Sequence, residues 1–402
     1  MSSPKRATSN VDSNHYYALD LIRIFAASIV LLNHFASYSS NNIAVTKGEN
    51  RAYGFLWEFY NVGAVGVEIF FVISGLVIAT SVPTGSGFSA AKGFMRRRAQ
   101  RIIPTLWMSS SVSFLALCSI QQDWISLLDA FIKSSLLLPL GPYVDGVVWS
   151  LIVEVFFYTL VALTILRSSK NRLETLAAAI AIFSVTYNLI LFSFTVGLFD
   201  YNNDIALSVL HRFPFKLFLL RYGVFFALGI YISVLKRKRC IKIAVLALTC
   251  SIFCVAEIIS SSELEAEKTL LTVFVWLTCV AVIIVTLLSK ATPSVISRLR
   301  LSKPIRFLGD LSYPLYLNHY TLGIVLTYHL RYTNSSLLKF EFVICVVVAT
   351  SAIILAAENY MRHRLFGKQR KFVGYAVSKP LASFEPPIPT QEVPLTVPIP
   401  YR

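Results

Sequence analysis

Ten separate runs of about 20 mostly apolar residues limit what this 402-residue chain can fold into more than any other feature of it. They are Ala18 to Ala36, Val62 to Val82, Ile102 to Ile120, Val147 to Leu166, Thr175 to Phe194, Phe215 to Leu235, Ile241 to Ser260, Thr269 to Ser289, Ile305 to Leu330 and Leu337 to Met361. About 20 helical residues cross a hydrocarbon core of about 30 Å, and a lone span there must be helical because only a helix satisfies its own backbone. The chain therefore reads as all-α, a polytopic membrane bundle of about ten transmembrane helices. Composition agrees: 55% of residues are hydrophobic and 14% charged, and a mean hydropathy of +0.65 excludes a soluble domain of this length. The first 17 residues are polar and the apolar run begins at Ala18, the wrong order for a cleavable signal peptide, so the first span is expected to remain in the mature chain.

A formal charge of +16 suggests nucleic acid in a soluble protein, but basic residues also gather in the cytoplasmic connections of membrane proteins. Distribution separates the two. The connections at Lys92 to Arg101, Arg167 to Arg172, Lys236 to Lys242 and Lys290 to Arg306, with both termini, hold 27 of the 37 Lys and Arg residues. The alternate connections, including Asp123 to Asp145, Asp200 to Arg212 and Ser261 to Lys268, hold six. That asymmetry places both termini in the cytoplasm and accounts for the charge without nucleic acid. Three regions follow: a cytoplasmic segment over 1–17, the transmembrane domain over 18–361, and a basic, then proline-rich tail over 362–402 with no pattern for a packed core. The six cysteines form no CxxC pair, so neither a disulfide framework nor a metal site is expected.

The polar residues inside the spans carry the functional signal. Arg23 and His34 are eleven residues apart, about 1100° of helical rotation, so they leave one face of the first span roughly 16 Å apart along its axis. A guanidinium in a bilayer costs about 2.5–3.5 kcal/mol even on a lenient scale. A snorkelling arginine and a satisfied core histidine are the bland alternative. Other spans add Glu68 and Ser74 in "GVEIFFVISG", Trp149 and Glu154 in "WSLIVEVFFY", and Ser312, Tyr313, Asn318 and His319 in "LSYPLYLNH", where Pro314 is expected to loosen the helix. At the start of the third span, "FMRRRAQR" puts Arg98 and Arg101 three residues apart on one face. Such a pair suits phosphate oxygens, although orientation alone also explains basic residues there.

The series "LDLIRIFAASIVLLNH", "GVEIFFVISGLVIA", "RRAQRIIPTLW", "WSLIVEVFFY" and "LGDLSYPLYLNH", in this order over residues 16 to 365, resembles the acyltransferase 3 family of integral membrane acyltransferases. Its most specific element is the pair Arg23 and His34; the family's arginine-x-x-arginine motif falls on Arg98 and Arg101, and its tryptophan-serine-leucine-glutamate motif on Trp149 to Glu154. The resemblance implies acyl-CoA, commonly acetyl-CoA, as cytoplasmic donor. It also implies a glycan hydroxyl as acceptor, on a surface polysaccharide or a lipid-linked or signalling oligosaccharide, and a bacterial inner membrane as the setting. In that chemistry His34 is the general base, since histidine titrates nearest to neutral pH. Glu68 or Glu154 orients it or holds the acceptor, while Arg23, Arg98 and Arg101 hold the donor phosphates. Ser74, Trp149, Tyr313 and His319 are the expected substrate contacts.

Two other classes fit membrane-embedded Glu, His and Arg. A proton-coupled transporter uses such residues as a relay, yet the paired, symmetric broken spans common in transporters are not visible here. A non-enzymatic scaffold binding a lipid or polysaccharide precursor has no need of His34.

Overall fold

The computed structural model describes residues 16–41, 50–167, 171–195, 203–210, 212–261, 266–288 and 301–366. The N-terminal segment up to residue 15 and the proline-rich tail lie outside them. The helices, in chain order, are α1 (Tyr17–Ala36), α2 (Val65–Ser81), α3 (Phe88–Cys118), α4 (Trp124–Ser135), α5 (Val148–Leu166), α6 (Arg172–Thr195), α7 (Asn203–Leu210), α8 (Phe213–Leu217), α9 (Gly223–Arg237), α10 (Ile241–Ser261), α11 (Ala266–Leu288), α12 (Ser302–His329) and α13 (Ser336–Phe366). Among the described residues the sole β-type pairing is an isolated bridge between Ser39 and Arg51. Among the described residues eight helices are long and apolar enough to cross a membrane, and α9 and α12 occupy the places of the two other expected spans.

Contacts between connections define two ends. At one, the basic end, Arg172 donates to the carbonyls of Pro83 and Gly85, the Gly87 N–H donates to Ile165 O at 2.9 Å, and Lys236 meets the Tyr16 hydroxyl. At the far end Tyr53 bonds Thr327 at 2.8 Å and Ser119 bonds His329 at 2.9 Å.

The centre of the bundle is the crossing of α2 and α9. A Cβ on Gly75 would lie 2.2 Å from Phe226 O, and one on Gly229 2.1 Å from Val72 O. Here the two backbones touch, as small residues permit in membrane helix pairs. Gly75→Ala is therefore expected to destabilise the bundle by about 1–3 kcal/mol through overpacking. A lowered melting temperature in detergent reads this out, with Gly85→Ala, which meets nothing within 4 Å, as the unchanged control.

Helix α9 has only 15 residues, about 22 Å, and its chain breaks before Gly223 instead of continuing as an apolar span from Phe215. Polar groups of α6 accept the break: Val224 N–H donates to Ser184 Oγ at 3.1 Å, and Asn188 Nδ2 donates to Arg221 O at 3.3 Å. Irregular backbone inside a bundle persists where such partners satisfy it. By contrast α12 runs unbroken through Pro314. The Asn318 side chain braces that turn, donating to Pro314 O at 2.8 Å and Ser109 Oγ at 3.1 Å.

The connection expected over Asp123 to Asp145 does not stay outside the bundle. Its helix α4 folds back along α3, with the rings of Phe114 and Phe131 5.2 Å apart and Trp107 Nε1 donating to Ser135 O at 3.0 Å. Trp107 lies eleven residues before the end of α3, so α4 descends about 16 Å into the bundle. Twelve residues are too few to span, but this helix is apolar on two faces. Leu127 and Ala130 are buried, while Trp124, Ile125 and Ile132 are exposed, which suits a segment with protein on one side and lipid on the other. The return stretch docks on α12, where Thr321 Oγ1 donates to Val144 O at 2.8 Å.

Candidate active site

His34 stands in the last turn of α1 and meets His319 of α12, Nδ1 to Nε2, at 2.8 Å. The other nitrogen of His319, Nδ1, lies 3.2 Å from Leu315 O. A carbonyl only accepts, so Nδ1 of His319 carries hydrogen and its Nε2 accepts from His34 Nδ1–H in the neutral pair. This chain of bonds leaves the lone pair of His34 on Nε2. The rings stack with centroids 5.0 Å apart, and Tyr320 sets its edge against His34 at 4.8 Å.

Neighbouring contacts hold this pair in place. The Tyr38 hydroxyl donates to the carbonyls of His319 and Tyr320, each at 3.0 Å. Asp145, buried at the end of the re-entrant stretch, accepts from Ser113 Oγ at 3.1 Å and from the Thr321 N–H at 3.3 Å. Beside it a Cβ on Gly146 would come within 2.6 Å of the Tyr320 ring, so the absent side chain lets the loop press against the ring that faces His34.

Toward the basic end lies a cavity of about 850 Å³, counted out to its open mouth, between α1, α2, α3, α5 and α12. Arg23, Arg98 and Arg101 line one end of it, and Val67, Phe70, Phe71, Ser150 and Tyr316 the other. From Ile78 to Val67 the lining of α2 covers eleven residues, about 16 Å. In the wall Glu154 accepts from Ser74 Oγ and from the Tyr158 hydroxyl, both at 2.5 Å. Tyr313 lines the same cavity and donates to Ile102 O at 3.3 Å. Arg98 donates to the Ser81 hydroxyl with its guanidinium 5.7 Å from the centre of the Tyr158 ring.

Tyr316 separates the cavity from the histidines. It lines the cavity, and its ring centroid is 5.7 Å from that of His319. Its hydroxyl is 2.7 Å from Ser150 Oγ; because the Ser150 hydrogen goes to Val147 O, Tyr316 is the donor.

The structure brings together Arg23, Arg98, Arg101, Ser74, Glu154 and Tyr313 around the cavity, and His34 with His319 beyond it. Neither carboxylate expected to orient His34 is at His34. Glu154 is committed to Ser74 and Tyr158, and Glu68 faces the opposite way. Gly66 points at α1, where a Cβ would be 2.5 Å from Ala26 O, and two residues later the helix has turned about 200°. Glu68 instead faces Glu257 of α10 and Arg221, and Glu257 accepts from Arg221 Nε at 2.8 Å. Trp149 likewise turns away from the cavity, between Phe71, Tyr222 and the Lys216 ammonium. The orienting place beside His34 belongs to His319, expected as a substrate contact. Tyr38, Asp145, Ser150, Tyr158 and Tyr316 were not expected at all. Of these only Tyr158 had a local signal, its i, i+4 spacing from Glu154.

A family model described as an acyltransferase domain matches residues 16–356, most of the chain and every element of the site. The chain belongs to the acyltransferase 3 family. No curated protein and no solved structure matches it. This acyltransferase is an integral membrane enzyme, and its family assignment agrees with the order of motifs from α1 to α12.

Proposed function

We propose that this acyltransferase moves an acyl group, acetyl in the simplest case, from acyl-CoA in the cavity to a glycan hydroxyl presented at the far end. The observation that carries the reading is the alignment of three arginines, a long cavity and a histidine pair along one path. A pantetheine arm extended at about 1.2 Å per bond reaches roughly 15 Å. That is close to the length of the cavity, so phosphates on Arg23, Arg98 and Arg101 leave the thioester near Tyr316 and Ser150. His34 Nε2 takes the proton of the acceptor hydroxyl as its oxygen bonds to the thioester carbon. The C–S bond then breaks, and the thiolate leaves as CoA with the proton returned by His34. Rotation of Tyr316 away from Ser150 joins the two compartments for this step. Transfer is direct in this scheme; trapping an acylated His34 during turnover overturns it. The positive-inside asymmetry supports a cytoplasmic basic end and cytoplasmic termini, the side on which acyl-CoA is available, and the membrane of this proposal is a bacterial inner membrane. The acceptor is a surface polysaccharide or a lipid-linked or signalling oligosaccharide.

The arginines test the donor. Loss of a charge-assisted contact costs about 1.5–3 kcal/mol, so Arg101→Ala raises the KM for acetyl-CoA by about tenfold or more with a smaller change in kcat. CoA release followed with a thiol reagent measures both. An unchanged KM in Arg98→Ala and Arg101→Ala alike rules out the phosphate role.

A further inference from the structure

Resting on the donor reading above, we infer that the far end of the cavity, walled by Val67, Phe70, Phe71 and Leu151, is the acyl-group pocket, and that Phe71 sets the longest chain it accepts. The four residues line the end opposite the arginines, so a donor anchored there by its phosphates puts its acyl group among them. The polar groups at that end are already engaged: Tyr316 donates to Ser150, and Ser150 donates to Val147 O at 2.9 Å. With those hydroxyls satisfied, the remaining wall is hydrocarbon, which suits an alkyl chain.

Phe71 is the fixed part of that wall. It is 3% exposed, its ring stacks on Phe226 at 4.7 Å, and Phe226 packs on Phe157 at 4.5 Å. The same α2 and α9 backbones touch at Gly75 and Gly229, so neither helix can retreat to enlarge the space. Phe70 is less confined, half-buried with its ring edge toward Tyr316 at 5.6 Å. A chain longer than the pocket meets a rigid ring, and a hydrophobic pocket discriminates one methylene by about 10- to 200-fold. The pocket therefore selects short acyl groups.

Equilibrium binding of CoA, acetyl-CoA, butyryl-CoA and hexanoyl-CoA to the purified full chain in detergent tests this without an acceptor. The wild type is expected to bind hexanoyl-CoA at least about tenfold more weakly than acetyl-CoA. In Phe71→Leu, which keeps an apolar contact on Phe226, that gap narrows by about tenfold; Phe70→Leu, at a less buried position, narrows it in the same direction and serves if Phe71→Leu fails to fold. Equal affinity for all chain lengths in the wild type, or an unchanged gap in folded variants, overturns the pocket and leaves the donor reading standing. No binding of CoA or any acyl-CoA to the wild type overturns both.

Discussion

His34→Ala binds its donor normally and transfers acyl groups about 10²- to 10⁴-fold more slowly than the wild type, the usual worth of a positioned general base. The selectivity of the loss follows from geometry. His34 is separated from the cavity by Tyr316 and does not line it, so the arginines and the donor compartment are untouched. It sits half-buried in the last turn of α1, where alanine is a good helix former, so the bundle keeps its packing. Steady-state CoA release should show kcat collapsing with KM for acetyl-CoA nearly constant. A kcat within a few-fold of wild type would remove His34 from the chemistry.

The second large effect is at His319, and its two variants separate orientation from bulk. His319 is fully buried and accepts the hydrogen of His34 Nδ1. Alanine removes that acceptor, so His34 loses both its ring orientation and the preference for a bare Nε2. A lost tautomer in a comparable histidine relay costs up to about 10⁴, and we expect a kcat drop of about 10² or more for His319→Ala. Glutamine offers an amide oxygen in the same place. His319→Gln should recover part of the rate, with an intact melting temperature showing that the difference is catalytic. Equal losses in both variants point to packing alone.

Depth in the membrane was legible from sequence, and direction around each helix only in part. The apolar runs located the spans, and the eleven-residue spacing put Arg23 and His34 on one stripe because both belong to a single helix of known pitch. The arginine pair at Arg98 and Arg101 announced itself by charge density. Glu68 has the residue type to orient His34, yet Gly66, two residues before it, faces α1 and so turns Glu68 toward Arg221 and Glu257. His319 lies 285 residues from its partner, and no local spacing encodes which helix α1 packs against. The descent of α4 is a similar case: its length argued against a span, and only its contacts with Phe114 and Trp107 show that it enters the bundle.

The most direct test of the account is an experimental structure of the full chain with a non-transferable thioether analogue of acetyl-CoA. The predicted result is density along the cavity, with the pyrophosphate at Arg23, Arg98 and Arg101, the sulfur beside Ser150 and Tyr316, and the acetyl group toward Phe71. An analogue bound outside this cavity, or with its phosphates at the far end near Arg221, would contradict the path from the arginines to His34.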